Sequence, residues 1–297
     1  MIETALGYLK MNDVEYEENR DMASLTTIRI GGVARIVAYP REVSELSSLV
    51  SFLESYKIKY KTVGRMSNIL PTDELYNGVL IKTSNFRGIS LKNGVLSLGA
   101  GEALPRVAAR LCELSLEGFE ELSGIPGSVG ASLLGNAGAY GRALSDLFVG
   151  AVCLIKESGE IYRFSQAEVD FSYRYSTLKE SELIILSVEL KPTFGDILQI
   201  KERMSEYAKR RRLTQPREPS LGSVFKRPVS GYASKMIDEC DLRGYRIGGA
   251  EISSKHAGFI VNKGNARAKE VKRLVELSRE SVYKKFGVKL EREIEYL

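Results

Sequence analysis

ELSGIPGSVGASLLGNAGAYG, residues 121–141, decides how this chain is read. Gly124, Gly127, Gly130, Gly135, Gly138 and Gly141 stand there among small side chains with few charges. Without a Cβ, backbone turns tightly or approaches a ligand closely, and its N–H groups can face phosphate. A backbone-lined cofactor site is one reading. A loop whose glycines serve only tight turns is the other, and the stretch alone leaves both open.

Two further segments have the same character. TTIRIGG, residues 26–32, sets two hydroxyls and Arg29 beside paired glycines; VGRMSNIL, residues 63–70, follows a strand and puts Gly64, Ser67 and Asn68 in a turn. Each can grip a phosphate or a polar ring, and each can equally be a plain turn. No GxxxxGK[ST] is present and no GxGxxG follows an early strand, which disfavours a P-loop ATPase or a standard Rossmann domain. Two or three such loops converging would argue for a cofactor far more strongly than any one.

The chain has 297 residues, enough for two or three domains, and 43% hydrophobic with 27% charged residues describes a folded protein. No run approaches 18 uncharged apolar residues, and the N-terminus lacks the basic start and apolar core of a secretion signal, so neither a membrane partner nor export is expected. Cys112, Cys153 and Cys240 are odd in number and widely spaced, resembling neither a disulfide framework nor a metal site. His256 is the single histidine, which rules out a histidine-rich metal centre and leaves no other histidine for a triad. A net charge of +5 suits an anionic small substrate. The basic run Lys209–Arg212 closes a helical pattern without interleaved aromatic residues, so nucleic acid is not the expected partner.

Residues 1–20 read as an amphipathic helical lead-in. A strand at 35–39, a helical face at Val43, Leu46, Leu49, Val50 and Leu53, and a strand at 59–63 make a strand–helix–strand unit. Further strands are predicted at 79–82, 95–98, 148–155, 161–164 and 183–190, with a hairpin at Ser158-Gly159-Glu160 and a helix over 102–114. Past a boundary near 190–196 come a charged helix over 197–213, a loop over 220–228, a helix over 232–240, and a β-prone region over 246–261. A long helix then carries Val271, Leu274, Val275, Ser278, Val282 and Phe286 and ends at Gly287. The end, KLEREIEYL, alternates as a strand containing Glu293.

Three side chains are candidates for chemistry. Ser223, in GSVFKRP (222–228), is either a loop cap or a proton donor to a strongly basic carbanion, which a nearby cation would assist. Arg174, in FSYRYS (171–176), is a surface arginine or a two-donor clamp on a carboxylate. Glu293 is an exposed strand residue or the group that orients Arg174 or a proton relay. His256, in IGGAEISSKHAGFIVNKGNA (247–266), is a packed, hydrogen-bonded histidine or a neighbour of an anionic ligand.

Taken in order, these motifs resemble the UDP-N-acetylenolpyruvoylglucosamine reductases, the MurB family, over nearly the whole chain after residue 20. The resemblance implies an α+β fold: an FAD-binding domain of the vanillyl-alcohol oxidase (PCMH) type, with residues 1–57 as its strand–helix–strand part and 58–192 as its main part, and a smaller α+β substrate domain over 193–297. It implies flavin contacts from Thr27, Arg29, Gly31, Gly32, Gly64, Ser67, Asn68, Gly124, Ile125, Pro126, Gly127, Ser128, Gly130 and Ala131. Ser223 matches the family's catalytic acid, Arg174 its active-site arginine and Glu293 its glutamate; Lys226, with Arg174, falls on the substrate side. The implied reaction uses NADPH and FAD to reduce the enolpyruvyl ether of a UDP-sugar to UDP-N-acetylmuramate for peptidoglycan. A cytoplasmic monomer without metal is the matching expectation. The length fits the family's shorter form.

Four positions depart from the family's usual pattern: Met66 where glycine is common, Arg227 for asparagine, Ser234 for glycine and Arg292 for proline. If the Met66 backbone requires positive φ, that residue is strained. The rival readings are another FAD-dependent oxidase or dehydrogenase of the same fold, a non-catalytic FAD module, and a basic interaction protein.

Overall fold

Leu183–Leu190 runs through the middle of a five-stranded antiparallel sheet, and its side chains show why. Ile184 and Leu186 face one apolar cluster, while Leu183, Ile185, Val188 and Leu190 face another. Side chains alternate across a strand, so a strand covered on both faces is apolar almost throughout. The parity changes between Ile185 and Val188 because Leu186 is an extra residue: Ile185 pairs with Cys153 and Ser187 with Val152. The sheet order is Ile161–Ser165, Phe148–Ile155, Leu183–Leu190, Val95–Gly99, Ile89–Lys92.

The computed structural model describes residues 1–297 and divides them into two compact units. The first comprises residues 1–19, 35–65 and 77–209. On one face of its five-stranded sheet lie helices α1 (Ile2–Met11) and α2 (Val43–Ser55), burying Leu6, Leu9, Leu46, Leu49 and Leu53. On the other lie α3 (Leu104–Glu113) and the short α4 (Val129–Leu134), with Val107, Leu111, Val129 and Leu133 buried. Pro105 sits in the first turn of α3, where a missing N–H costs nothing. The parallel pair Tyr60–Val63 and Tyr76–Lys82 belongs to a second, four-stranded sheet.

The second unit is made of three separated segments, residues 20–34, 66–76 and 210–297. Its sheet runs Ser220–Ser223, Phe259–Asn262, Ala250–Ile252, Arg246–Ile247. Helices α6 (Ala233–Glu239) and α7 (Ala268–Phe286) belong to this unit. The stripe Val271, Leu274, Val275, Ser278 and Val282 is buried as its spacing predicts, and Gly287 closes α7 in the left-handed conformation with its amide on the Tyr283 carbonyl. Ile28, Ile30 and Leu70, from the two short segments, complete the core around Leu221, Phe225, Leu274 and Ile294.

Several expectations are corrected. The N-terminal helix stops at Met11, and Tyr16–Asp21 is a strand. Ser220–Ser223 is a strand too, because it pairs with Phe259–Asn262. Glu293 lies outside any strand; only Glu295–Tyr296 forms one, parallel to Ile69–Leu70. Helix α5 (Ile197–Thr214) goes with the first unit through Lys209, since Arg203 pairs with Glu117 and Glu120 and Met204 packs on that unit's core.

The start of α7 depends on a residue almost two hundred positions away. Asp73 accepts from the amides of Ala268 at 2.6 Å and Lys269 at 3.0 Å. Asp73→Ala is therefore expected to lower stability by about 1–2 kcal/mol, as loss of a helix cap does. Urea denaturation measures this; an unchanged midpoint would show that water replaces the cap.

Candidate active site

Two of the glycine-bearing loops converge within the first unit. Arg65 Nε donates to the Pro126 carbonyl at 3.2 Å. A Cβ on Gly64 would lie 2.1 Å from Ser128 Oγ, so any side chain there displaces that hydroxyl. Gly127 and Gly130 are equally confined, with a Cβ 2.4 Å from Ser132 Oγ and 2.8 Å from Ala100 Cβ. Gly124, Pro126 and Ala131 are exposed, while Ile125 packs against the core. The amides of Val129 and Gly130 already serve the carbonyls of Glu102 and Ala100. These two donors at the start of α4 are therefore not available to phosphate.

Ser128 is almost fully buried, yet its Oγ makes no hydrogen bond. A buried hydroxyl normally finds a partner, so this one points to a polar ligand. Lys82 is only 8% exposed, and its Nζ donates to the Gly64 carbonyl at 2.6 Å. Burial, with repulsion from Arg65, pulls its ammonium down to about 8. A tight backbone cradle, an unsatisfied hydroxyl and a buried cation fit a dinucleotide cofactor such as FAD.

The remaining flavin candidates lie in the second unit, where many of their polar groups tie segments together. Thr27 Oγ1 donates to the Ser220 carbonyl at 2.7 Å. Asn262 Nδ2 donates to the carbonyls of Ile28 and Arg29, at 3.0 and 3.1 Å, while its Oδ1 accepts from Gly264 and Ala266. Gly32 has Asp73 and Glu74 carbonyls 2.5 Å from where its Cβ would be, and Gly31 has φ +149°. The paired glycines thus admit segment 71–74. Ser67 is half-buried.

Asn68 reaches the candidate catalytic residues. Its Nδ2 donates to the Glu293 carbonyl at 3.0 Å, and its own carbonyl accepts from Glu295 N at 2.9 Å. Glu293 N in turn donates to Val224 O at 2.8 Å, Lys226 N to Glu291 O at 2.9 Å, and Phe225 bridges Arg292. Ser223 and Glu293, 70 positions apart in sequence, are thereby brought onto neighbouring backbone. Lys226 Nζ pairs with Glu291 Oε1 at 2.5 Å.

Arg174 belongs to the first unit. It is the second residue of a two-residue turn between Phe171–Ser172 and Tyr175–Ser176, with φ +58°. Its Nη1 donates to Gly138 O at 3.2 Å, and its guanidinium lies 5.4 Å from the Tyr173 ring centroid. Arg29 and Met66 share this left-handed backbone, at φ +56° and +50°. Met66 thus keeps the conformation its glycine-like position demands, at a cost of about 1–2 kcal/mol, and is buried.

His256 is the packed histidine: Nδ1 accepts from Gly258 N at 3.1 Å and the ring meets Phe259 edge-on. Burial holds its pKa below the usual value, so it is neutral at pH 7. It also lines a hollow of about 260 Å³ with Tyr232, Lys235, Arg243 and Lys255. Asp238 in the same hollow is held below the usual carboxylate range by Arg243, at 2.5 Å. Two other departures are exposed, with Arg227 over Tyr232 and Arg292 over Tyr296, while Ser234 is half-buried and lines the hollow.

The chain is similar to known proteins over its full extent. Residues 34–165 match the FAD binding domain family, and residues 215–297 match the C-terminal domain of UDP-N-acetylenolpyruvoylglucosamine reductase. With the fold above, this defines the class: an α+β, FAD-dependent oxidoreductase with an FAD-binding domain. A UDP-N-acetylenolpyruvoylglucosamine reductase of Caldicellulosiruptor bescii is 39% identical, over 98% of this chain and 93% of the relative. Another, from Clostridioides difficile, is 37% identical over 98% and 96%. The crystal structure of the Thermus caldophilus enzyme superposes with a TM-score of 0.81 at 32% identity, over 95% and 98% of the two chains. The chain belongs to the UDP-N-acetylenolpyruvoylglucosamine reductase family.

Sequence reasoning missed Lys82 and Asp73. A lone lysine closing the apolar run VLIK was a usable signal for the first; the second had none, because its partners are remote. Two tests follow. Gly64→Ala should lower the thermal midpoint of the apoprotein, and adding Ser128→Ala should restore most of it; failure of that rescue would mean the clash lies elsewhere. Lys82 binds fewer protons folded than unfolded between about pH 8 and 10.5, so its contribution to stability rises through that window and is lost as pH falls through 8. Lys82→Met should flatten this rise in a pH series of urea midpoints, and identical slopes would refute the buried-cation reading.

Proposed function

We propose that this protein reduces UDP-N-acetylglucosamine enolpyruvate to UDP-N-acetylmuramate, with NADPH as the electron donor. The observation that carries the residue assignment is the Val224–Glu293 backbone pairing, which keeps Ser223 beside Glu293. FAD, when bound, supplies the hydride chemistry between NADPH and the enol-ether double bond. Arg174 pairs with the substrate carboxylate and stabilises the negative charge that develops there. Ser223 gives its hydroxyl proton to the carbon bearing that carboxylate, and Glu293 orients the charged groups. Thr27, Arg29, Gly31, Gly32, Gly64, Ser67, Asn68 and residues 124–128, 130 and 131 are the proposed flavin loops. Ser128 Oγ supports this, being buried and unsatisfied.

Lys226 is assigned to the substrate, exchanging Glu291 for it. In the hollow Arg243 is paired with Asp238, and Lys235 and Lys255 leave its lining net positive, which suits the diphosphate. No helix is long and apolar enough to cross a membrane. A cytoplasmic monomer serving peptidoglycan synthesis, and through it cell shape and division, completes the reading.

Anaerobic stopped-flow absorbance tests it. NADPH should bleach the flavin spectrum, and enolpyruvyl UDP-sugar should restore it. If only an alcohol donor bleaches it, and the sugar nucleotide restores nothing, the protein is an oxidase or dehydrogenase of another specificity. Ser223→Ala should leave bleaching intact and slow recovery by roughly 100-fold or more; recovery at the normal rate would remove Ser223 from its role.

A further inference from the structure

We infer that Tyr207 of α5 is a positioning residue for Arg174, acting through the hairpin that carries Tyr140. The inference rests on the role of Arg174 proposed above. Arg174 Nη1 donates to the carbonyl of Gly138, so the place of that carbonyl sets the place of the guanidinium. Gly138 and Ala139 pair with Ala143 and Arg142, and Tyr140-Gly141 is the two-residue turn between them. Both turn residues have positive φ, +53° and +92°, as a type I′ turn requires. Glycine meets that requirement freely, whereas a tyrosine resists it.

So short a hairpin has little stability of its own and needs a brace. The Tyr140 ring stacks on Tyr207, with centroids 4.7 Å apart and planes at 20°. Tyr207 is itself fixed: its hydroxyl donates to Glu121 Oε1 at 3.1 Å. One turn earlier, Arg203 donates to Glu120 Oε1 at 2.7 Å and Glu117 Oε2 at 2.8 Å. Glu120 is buried, and its other oxygen accepts from Gly118 N at 2.7 Å. The chain of contact therefore runs from an anchored helix to Tyr207, Tyr140, Gly138 and Arg174. Tyr207 lies outside the apolar clusters, on a helix whose only buried residue is Ile200, so removing its ring leaves the core intact.

The test is a double-mutant cycle on the FAD-loaded enzyme, reading reoxidation of the NADPH-reduced flavin by saturating enolpyruvyl UDP-sugar. Tyr207→Ala should slow this step by roughly tenfold or more, the scale on which misplacement of a catalytic group is felt. Flavin reduction by NADPH should stay within about twofold, and Tyr207→Phe, which keeps the stack, should restore most of the rate. In an Arg174→Ala background, Tyr207→Ala should cost nothing further, because residues acting as a unit are non-additive. Equal slowing in both backgrounds, or a joint loss of both half-reactions with a lowered thermal midpoint, would overturn the inference. Should Tyr207→Ala not fold, Tyr207→Leu keeps the apolar cover without the ring and is read by the same criteria. Normal reoxidation by Arg174→Ala would overturn the carboxylate role itself, and this inference with it. A slow Arg174→Ala enzyme beside a normal Tyr207→Ala enzyme would overturn this inference alone.

Discussion

Two side-chain amides hold the second unit together, and its proposed chemistry depends on them. Asn262 binds the 20–34 segment by the carbonyls of Ile28 and Arg29, while Asn68 binds the carbonyl of Glu293 from the 66–76 segment. A carboxamide both donates and accepts, so one residue can satisfy backbone groups on two segments without burying a charge. Aspartate would place negative charge against carbonyl oxygens, and leucine would leave those oxygens unpaired. The flavin-loop candidate Asn68 and the catalytic candidate Glu293 are therefore one structural arrangement.

Left-handed backbone occurs at twelve non-glycine positions, four of them in the segments that carry the assigned residues. Arg29, Met66, Tyr140 and Arg174 all have φ between +50° and +58°. Such conformations persist only where surrounding contacts over-determine them. Asn262 on the Arg29 carbonyl, burial of Met66 and stacking of Tyr140 are contacts of that kind. At Met66 the side chain contributes apolar burial that glycine would lack, which offsets part of the strain.

Local patterns were legible, and remote pairings were not. The stripe on α7, its end at Gly287, Pro105 in the first turn of α3 and the strands at 148–155 and 183–190 follow from spacing or turn chemistry within a few residues. The motif order carried the family. Tyr16–Asp21 and Ser220–Ser223 were misread because pairing, rather than propensity, makes them strands. Glu293 lay in an alternating run whose only regular pairing is with Ile69–Leu70 further along. The affiliation of α5 was hidden in Arg203 and Tyr207, whose partners lie 83 to 86 residues upstream. The glycine loops were legible as close-approach backbone, but Gly31 and Gly32 admit another chain segment.

The interrupted course of the second unit has a bearing on how the chain comes into being. Synthesis delivers residues 20–34 and 66–76 long before α7 exists to cover Ile28, Ile30 and Leu70. Until then Ile28, Ile30 and Leu70 lack the partners that bury them in the finished fold. For the same reason residues 210–297, cut out alone, would expose a groove where those three side chains belong. The C-terminal region is a recurring stretch of sequence, yet it is an incomplete folding unit.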